Sequence, residues 1–398
     1  MHILIVADGR SPITRRWIPG VLAIGHRVTL VSTFPCQPFP GVEQTIVLPT
    51  AFGGAASGSS AAPGSLLRKL ISRFRRFFLS GRYLLGPLPL PSNGKRLARL
   101  IQQHKPDLVH ALRIPFEGML ASYTPPGTPL ILSTWGNDLT LHAPASPLMR
   151  YWTRRALRRA DGLITDAGRD IRLAPQWGFD PNRPTINVLT SGGIDLTEMR
   201  RVSTELPDDL PAGVPLIINP RGIRPAYAST DTFFQAVPLV LQRWPSLGFL
   251  CPGMAGQIEA ERWAARIHHP EALRLLPNLP QPALWNLFTR SDITLSITTH
   301  DGTPNTLLEA MACGCLPIAG DIESLREWIT PGINGLLVDP HNPQSLAEAI
   351  VIALNNPNLR SQAAEINLQL LQQRAEINLV RAQVAVFYQR FAPPSAIP

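Results

Sequence analysis

The sequence predicts an α/β protein built from two Rossmann-like halves facing across a cleft, and three observations carry that reading. Short runs rich in Val, Ile and Leu alternate with longer segments of helical spacing. The alternation stops at one polar, Pro-rich connector and then starts again. At 398 residues the chain is also longer than one ordinary core accommodates.

In the first half the strand-like runs are 2–7, 26–32, 43–48, 107–112, 129–134, 162–165 and 185–189, with helical spacing over 94–103 and 148–160 between them. The runs are predominantly apolar, which suits parallel strands buried on both faces. Around 205–214 the text becomes Leu-Pro-Asp-Asp-Leu-Pro-Ala-Gly, a connector. The second series follows at 215–219, 248–251, 273–276, 292–297, 316–319 and 335–338. Residues 362–391 read as helical and 392–398 as a frayed tail. The expected division is an N-terminal domain over 1–205, a C-terminal domain over 206–375, and a last helix over 376–398 returning to the first domain.

Two stretches break this rhythm. Residues 51–65 are rich in Gly, Ala and Ser and read as a flexible loop. Residues 66–82 carry Arg68, Lys69, Arg73, Arg75, Arg76 and Arg82 without an acid, and their apolar residues recur at helical steps. Such a segment suits an anionic membrane surface, or a domain helix with a solvated basic face. Nucleic acid ranks below both, because no recognition motif accompanies the charge.

Hydrophobic residues make up 44% of the chain, yet no apolar run reaches the ~18 residues that a membrane span needs. Met1 leads straight into a strand-like run, which reads as neither signal peptide nor leader. Cys36, Cys251, Cys313 and Cys315 are too few and too scattered for a disulfide framework, and Cys313-Gly314-Cys315 lacks the spacing of a metal site. A reducing, cytoplasmic setting is expected, with peripheral contact at the inner membrane face if residues 66–82 bind lipid. The formal net charge is +9, and the three lysines (Lys69, Lys95, Lys105) all lie at or before position 105. Every later cation is therefore arginine or histidine.

The most informative segment runs from Thr298 through His300-Asp301-Gly302-Thr303-Pro304-Asn305-Thr306 to Glu309 and Gly314. It reads as strand, loop and helix, with Asp301 or Thr303 as N-cap, Pro304 in the first helical position and Gly314 as the stop. The backbone N–H groups of Asn305, Thr306 and Leu307 are then expected to point at the crevice beyond the strand ends, an anion-binding arrangement. Asp301 and Glu309 bracket it eight positions apart. Carboxylates beside a phosphate site are unfavourable unless they meet hydroxyl donors, such as those of a sugar or a ribose.

This segment resembles the donor-site motif of the GT4 family of glycosyltransferases, whose two acids have the same spacing, with Asp301 here in place of the usual Glu. The resemblance extends from Asp321 to Val338. It implies the GT-B fold and retaining transfer of a sugar from a nucleoside diphosphate to a sugar or lipid-linked acceptor hydroxyl, in polysaccharide or glycolipid synthesis. Glu309 is implied to bind the ribose, Asp301 to lie by the donor sugar, and Gly302, Thr303, Pro304, Asn305 and Thr306 to line the sugar and diphosphate. The family also places an Arg and, about six residues later, a Lys on the diphosphate. Arg221 takes the first role. Tyr227 stands near the second position, and Arg224 is the substitute.

In the first half, Gly9 remains where the family has paired glycines. His110 is the candidate for the histidine beside the reacting sugar, with His142 in reserve. No Asp-x-Asp occurs, so a metal-independent site with no cofactor besides the donor is expected. A pyridoxal-dependent phosphorylase needs a lysine in the second domain, and none is present. A sugar-nucleotide epimerase of GT-B shape and a catalytically degenerate, membrane-associated scaffold remain as alternatives.

Overall fold

The computed structural model describes residues 1–49, 83–201, 213–224 and 227–393. The chain divides into two compact units, one comprising Met1–Gly193 and Val380–Pro398, the other Ile194–Leu379.

The first unit holds a seven-stranded parallel sheet in the order β3-β2-β1-β4-β5-β6-β7. Its strands are β1 (His2–Ala7), β2 (Arg27–Ser32), β3 (Gln44–Val47), β4 (Leu108–Ala111), β5 (Leu130–Ser133), β6 (Gly162–Thr165) and β7 (Thr185–Asn187). All six residues of β1 are buried, because β1 sits mid-sheet with helices on both faces. Helix α1 (Pro12–Ala23) starts where Ser11 Oγ accepts the Ile13 N–H and Pro12 takes the first turn. Its Trp17 and Ile18 pack on one face of the sheet. On the other face lie α2 (Leu90–His104) and α3 (Pro147–Arg159), with Leu97, Ile101, Met149 and Trp152 in one core cluster.

The second unit holds six parallel strands in the order β10-β9-β8-β11-β12-β13. They are β8 (Leu216–Ile218), β9 (Gly248–Pro252), β10 (Leu273–Leu276), β11 (Ile293–Ser296), β12 (Leu316–Gly320) and β13 (Leu336–Val338). Helices α4 (Thr230–Leu241) and α7 (Pro343–Asn355) cover one face around Phe233 and Ile350. Helices α5 (Gln281–Arg290) and α6 (Asn305–Ala312) cover the other around Trp285, Phe288 and Ala310.

The end of the chain is helical, in two helices that meet at the 375/376 division. Helix α8 (Pro357–Arg374) stops, and α9 (Ile377–Gln389) begins afresh. Ala375 leaves helical geometry at φ −128, and Glu376 Oε2 accepts the N–H groups of Asn378 and Leu379, which starts a new helix. From Val380 onward α9 belongs to the first unit, where Val384, Phe387 and Tyr388 join the cluster around Trp17.

The break between units comes at Gly193, ahead of the expected 205. The cause is backbone pairing: Ile194 donates to the Ala375 carbonyl and accepts from the Ile377 N–H. The loop 51–65, the amphipathic segment 66–82, and most of the connector and tail lie outside the described residues.

In each sheet the first strand neighbours the fourth: β1 beside β4, and β8 beside β11. Strand order reverses there, so the loops leaving the carboxyl ends diverge and open a crevice.

Candidate functional site

At the switch point of the second sheet, β8 delivers Arg221 and β11 delivers Asp301. The backbone turns after β8 at Gly222, whose φ of +63 suits glycine. An Arg221 guanidinium N–H donates to Asp301 Oδ2, and both side chains are about 15% exposed or less (15% and 14%). Arg221 Nε is buried and has no partner. The two loops are laced together: Thr299 donates its N–H to the Tyr227 carbonyl at 2.8 Å, and Ser229 donates to that of Ile297 at 2.9 Å.

The Asp301 loop is shaped by residues that follow β12. Ser324 Oγ donates to the Asp301 carbonyl at 2.7 Å, and Trp328 Nε1 donates to Thr303 Oγ1 at 3.0 Å. Asp301 Oδ1 accepts the Gly302 N–H at 3.0 Å. With these side chains engaged, neither Asp301 nor Thr303 caps α6, contrary to expectation. Pro304, extended at φ −68 and ψ 118, occupies the N-cap position, and no side chain caps the helix. Leu307 is also not left unpaired, since its N–H reaches the Pro304 carbonyl at 3.0 Å. The loop thus leads directly into a helix start without a side-chain acceptor, where the dipole favours an anion. Beside it, Thr306 Oγ1 is buried without a partner.

Glu309 is 3% exposed and turned toward α5, where its oxygens accept from Gln281 Nε2 at 2.8 Å and Trp285 Nε1 at 3.1 Å. The structure therefore groups Arg221, Asp301, Gly302, Thr303, Pro304, Asn305 and Thr306 at one strand-end crevice. Glu309 lies one turn deeper in α6. Arg224 stands apart: it is exposed, and its Nε reaches only the Arg221 carbonyl, at 3.4 Å. Tyr227 lies nearer, with the Arg221 guanidinium carbon 6.0 Å from its ring centre.

The first unit corrects two expectations. His110 is fully buried in β4, with Nδ1 2.7 Å from the Tyr388 hydroxyl and Nε2 2.8 Å from Ser133 Oγ. Burial pushes its pKa down to about 3. With both nitrogens engaged inside the core, His110 is not presented at the strand-end surface. Gly9 uses its N–H on Ser32 Oγ at 3.0 Å, so that amide is not presented to a phosphate. Its lack of a Cβ answers to packing, since a Cβ there would meet Cys36 Sγ at 2.4 Å.

Residues 229–369 match the family described as glycosyl transferases group 1, and residues 9–187 match the glycosyl transferase 4-like domain. The chain belongs to the group 1, GT4-type glycosyltransferases. A D-inositol 3-phosphate glycosyltransferase of Thermobispora bispora is 24% identical over 218 residues, covering 50% of this chain and 49% of that protein. The chain thus spans about half the length of the curated relatives it matches. Anabaena HepE in complex with UDP-glucose superposes with a TM-score of 0.70 at 17% identity, over 98% of this chain and 100% of that one. Sucrose-phosphate synthase from Thermosynechococcus elongatus gives 0.69 at 15% identity over 98% of each chain. At these identities the likeness shows the fold, that of GT-B glycosyltransferases.

The first sheet's switch point carries its own polar cluster, of which sequence reasoning named only His142 as a site candidate. Arg113, after β4, donates to His142 Nε2 at 3.0 Å and to Asp138 Oδ1 at 3.4 Å. Because a guanidinium only donates, His142 Nε2 is the acceptor and Nδ1 carries the proton toward the Tyr83 hydroxyl, 2.7 Å away. Asp138 is fully buried, and burial raises its pKa to about 6 despite Arg113. Glu117, raised by burial as well, accepts from Thr33 Oγ1 at 2.7 Å, while its Oε2 is buried without a partner. The available signal was position, since Arg113 and Asp138 each follow a strand end. Cys313 and Cys315 are packing thiols: burial raises Cys313 to about 11, and Cys315 Sγ donates to the carbonyls of Phe288 and Ser291.

Proposed function

We propose that this protein transfers a sugar from a nucleoside diphosphate to the hydroxyl of a sugar or lipid-linked acceptor, with retention of anomeric configuration and without a metal cofactor. The observation that carries the reading is the Arg221–Asp301 pair, set at the strand-order reversal of the second sheet and beside the uncapped start of α6. As the glycosidic C–O bond breaks, negative charge grows on the diphosphate. A fixed guanidinium and helix-start N–H groups stabilise that charge without rearranging. Asp301 keeps Arg221 in place beforehand and offers an acceptor for donor-sugar hydroxyls. Glu309, held in place by Gln281 and Trp285, is the proposed ribose contact.

On the acceptor side, His142 takes the place that His110 cannot fill. It lies at the carboxyl edge of the first sheet, held between Tyr83 and Arg113. The relatives named for an inositol phosphate acceptor support a polar, hydroxyl-bearing acceptor for this chain too. The test is incubation with UDP- and GDP-sugars and a panel of glycan and lipid-linked acceptors, followed by NMR of the product. A new glycosidic bond with the donor's anomeric configuration is expected. An epimerised nucleotide sugar with no new bond would overturn the reading.

A further inference from the structure

We propose that the outer face of α2 and α3, with the leucines that precede α2, is a contact surface for an anionic lipid bilayer. The inference is independent of the donor site and of residues 66–82. Both helices bury their inner faces in one core cluster, so their outer faces look away from the same side of the sheet. Neither contains an acid. Lys95, Arg96 and Arg99 on α2 and Arg150, Arg154 and Arg158 on α3 are all exposed, and none of the six pairs with a described carboxylate. The last three recur every four residues and form one stripe. By contrast, Arg155 and Arg159 of the same helix are structural: Arg155 donates to Ser122 Oγ, and Arg159 to the carbonyls of Thr124, Pro125 and Thr128.

Charge alone would fit any polyanion, and the apolar residues select lipid. Leu84, Leu85 and Leu88 are 57%, 53% and 63% exposed, an unusual cluster of bare leucines in five residues. Tyr151 on α3 is 58% exposed. Ser146 Oγ, at the N-cap of α3, donates to the Tyr83 carbonyl at 2.9 Å and so fixes the leucine segment where the two helices begin. An open groove of about 760 Å³ beside α3, lined by Ser122, Pro147, Tyr151 and its arginines, has room for a headgroup. Leucines that enter the acyl boundary, beside guanidiniums at headgroup level, make up the chemistry of an interfacial surface. Nucleic acid would use the cations and leave the leucines in water.

The experiment is co-sedimentation of the full chain with phosphatidylcholine vesicles, with and without phosphatidylglycerol. Binding that requires phosphatidylglycerol and weakens as salt rises is expected. Arg150→Glu/Arg154→Glu/Arg158→Glu should lower partitioning by about 100-fold or more, given the contribution of each cation near such a surface. Leu84→Ser/Leu85→Ser/Leu88→Ser should lower it by about 10-fold with the salt dependence kept. Unchanged melting temperature in each variant separates lost contact from lost folding. The proposal is overturned if the arginine variant partitions like wild type, if phosphatidylglycerol makes no difference, or if the chain binds duplex DNA and ignores vesicles.

Discussion

Arg221 and Asp301 lie 80 positions apart in the chain and meet as an ion pair over the carboxyl ends of β8 and β11. Neighbouring strands in a parallel sheet make that meeting possible. The pair places a guanidinium before any anion arrives, which is the condition for stabilising charge as it develops. Arg221→Ala should therefore lower kcat/KM for transfer by at least ~100-fold with the fold intact. Arg221→Lys should recover only part of this, since a point charge does not reproduce a planar fork. Steady-state kinetics, with circular dichroism as the control for folding, check both.

Glu309→Ala removes the acceptor of two donors on α5, Gln281 and Trp285. A buried donor left unpaired costs about 1–3 kcal/mol. A melting temperature lower by several degrees and weaker nucleotide binding are expected together. Normal binding alongside a lowered melting temperature would restrict Glu309 to a structural role.

Gly320 closes β12 against the loop that carries Asp301. A Cβ there would meet the Thr298 carbonyl oxygen at 2.3 Å, a backbone atom that cannot rotate away. Gly320→Ala should cost about 1–3 kcal/mol and displace the loop. Denaturant unfolding and nucleotide titration read the two effects separately.

His110 gives a pH signature opposite to that of a catalytic histidine. Its folded pKa of about 3 lies below the unfolded value of 6.5, so between the two the unfolded chain binds the extra proton. Stability from this group is complete above pH 6.5 and falls as pH drops toward 3, by up to about 1.4 kcal/mol per pH unit. His110→Gln should flatten that slope of unfolding free energy against pH. His142→Ala should lower transfer far more than His110→Gln does.

The thirteen described strands were legible in the sequence as short runs rich in Val, Ile and Leu, most of them buried, and every one lies within a residue or two of its expected place. The meeting of Arg221 and Asp301 was legible only through the family resemblance, since strand order is not written in local pattern. The residues that hold the site, Ser324, Trp328, Gln281 and Trp285, were not legible at all. Each acts through one long-range hydrogen bond, which leaves no periodic trace. His110 misled because a histidine at a strand end looks the same whether it faces solvent or, as here, Tyr388 of a helix 278 positions later. The start of the last helix was placed at 376, and Glu376 is the residue whose carboxylate caps it.

The most direct measurement is calorimetric titration of the wild-type chain and of Arg221→Ala with UDP and with GDP. Binding of at least one nucleotide by wild type, weakened by at least about 10-fold in the variant, is the expected result. Equal affinity in the two proteins, or no binding by wild type, would contradict a diphosphate site built on Arg221.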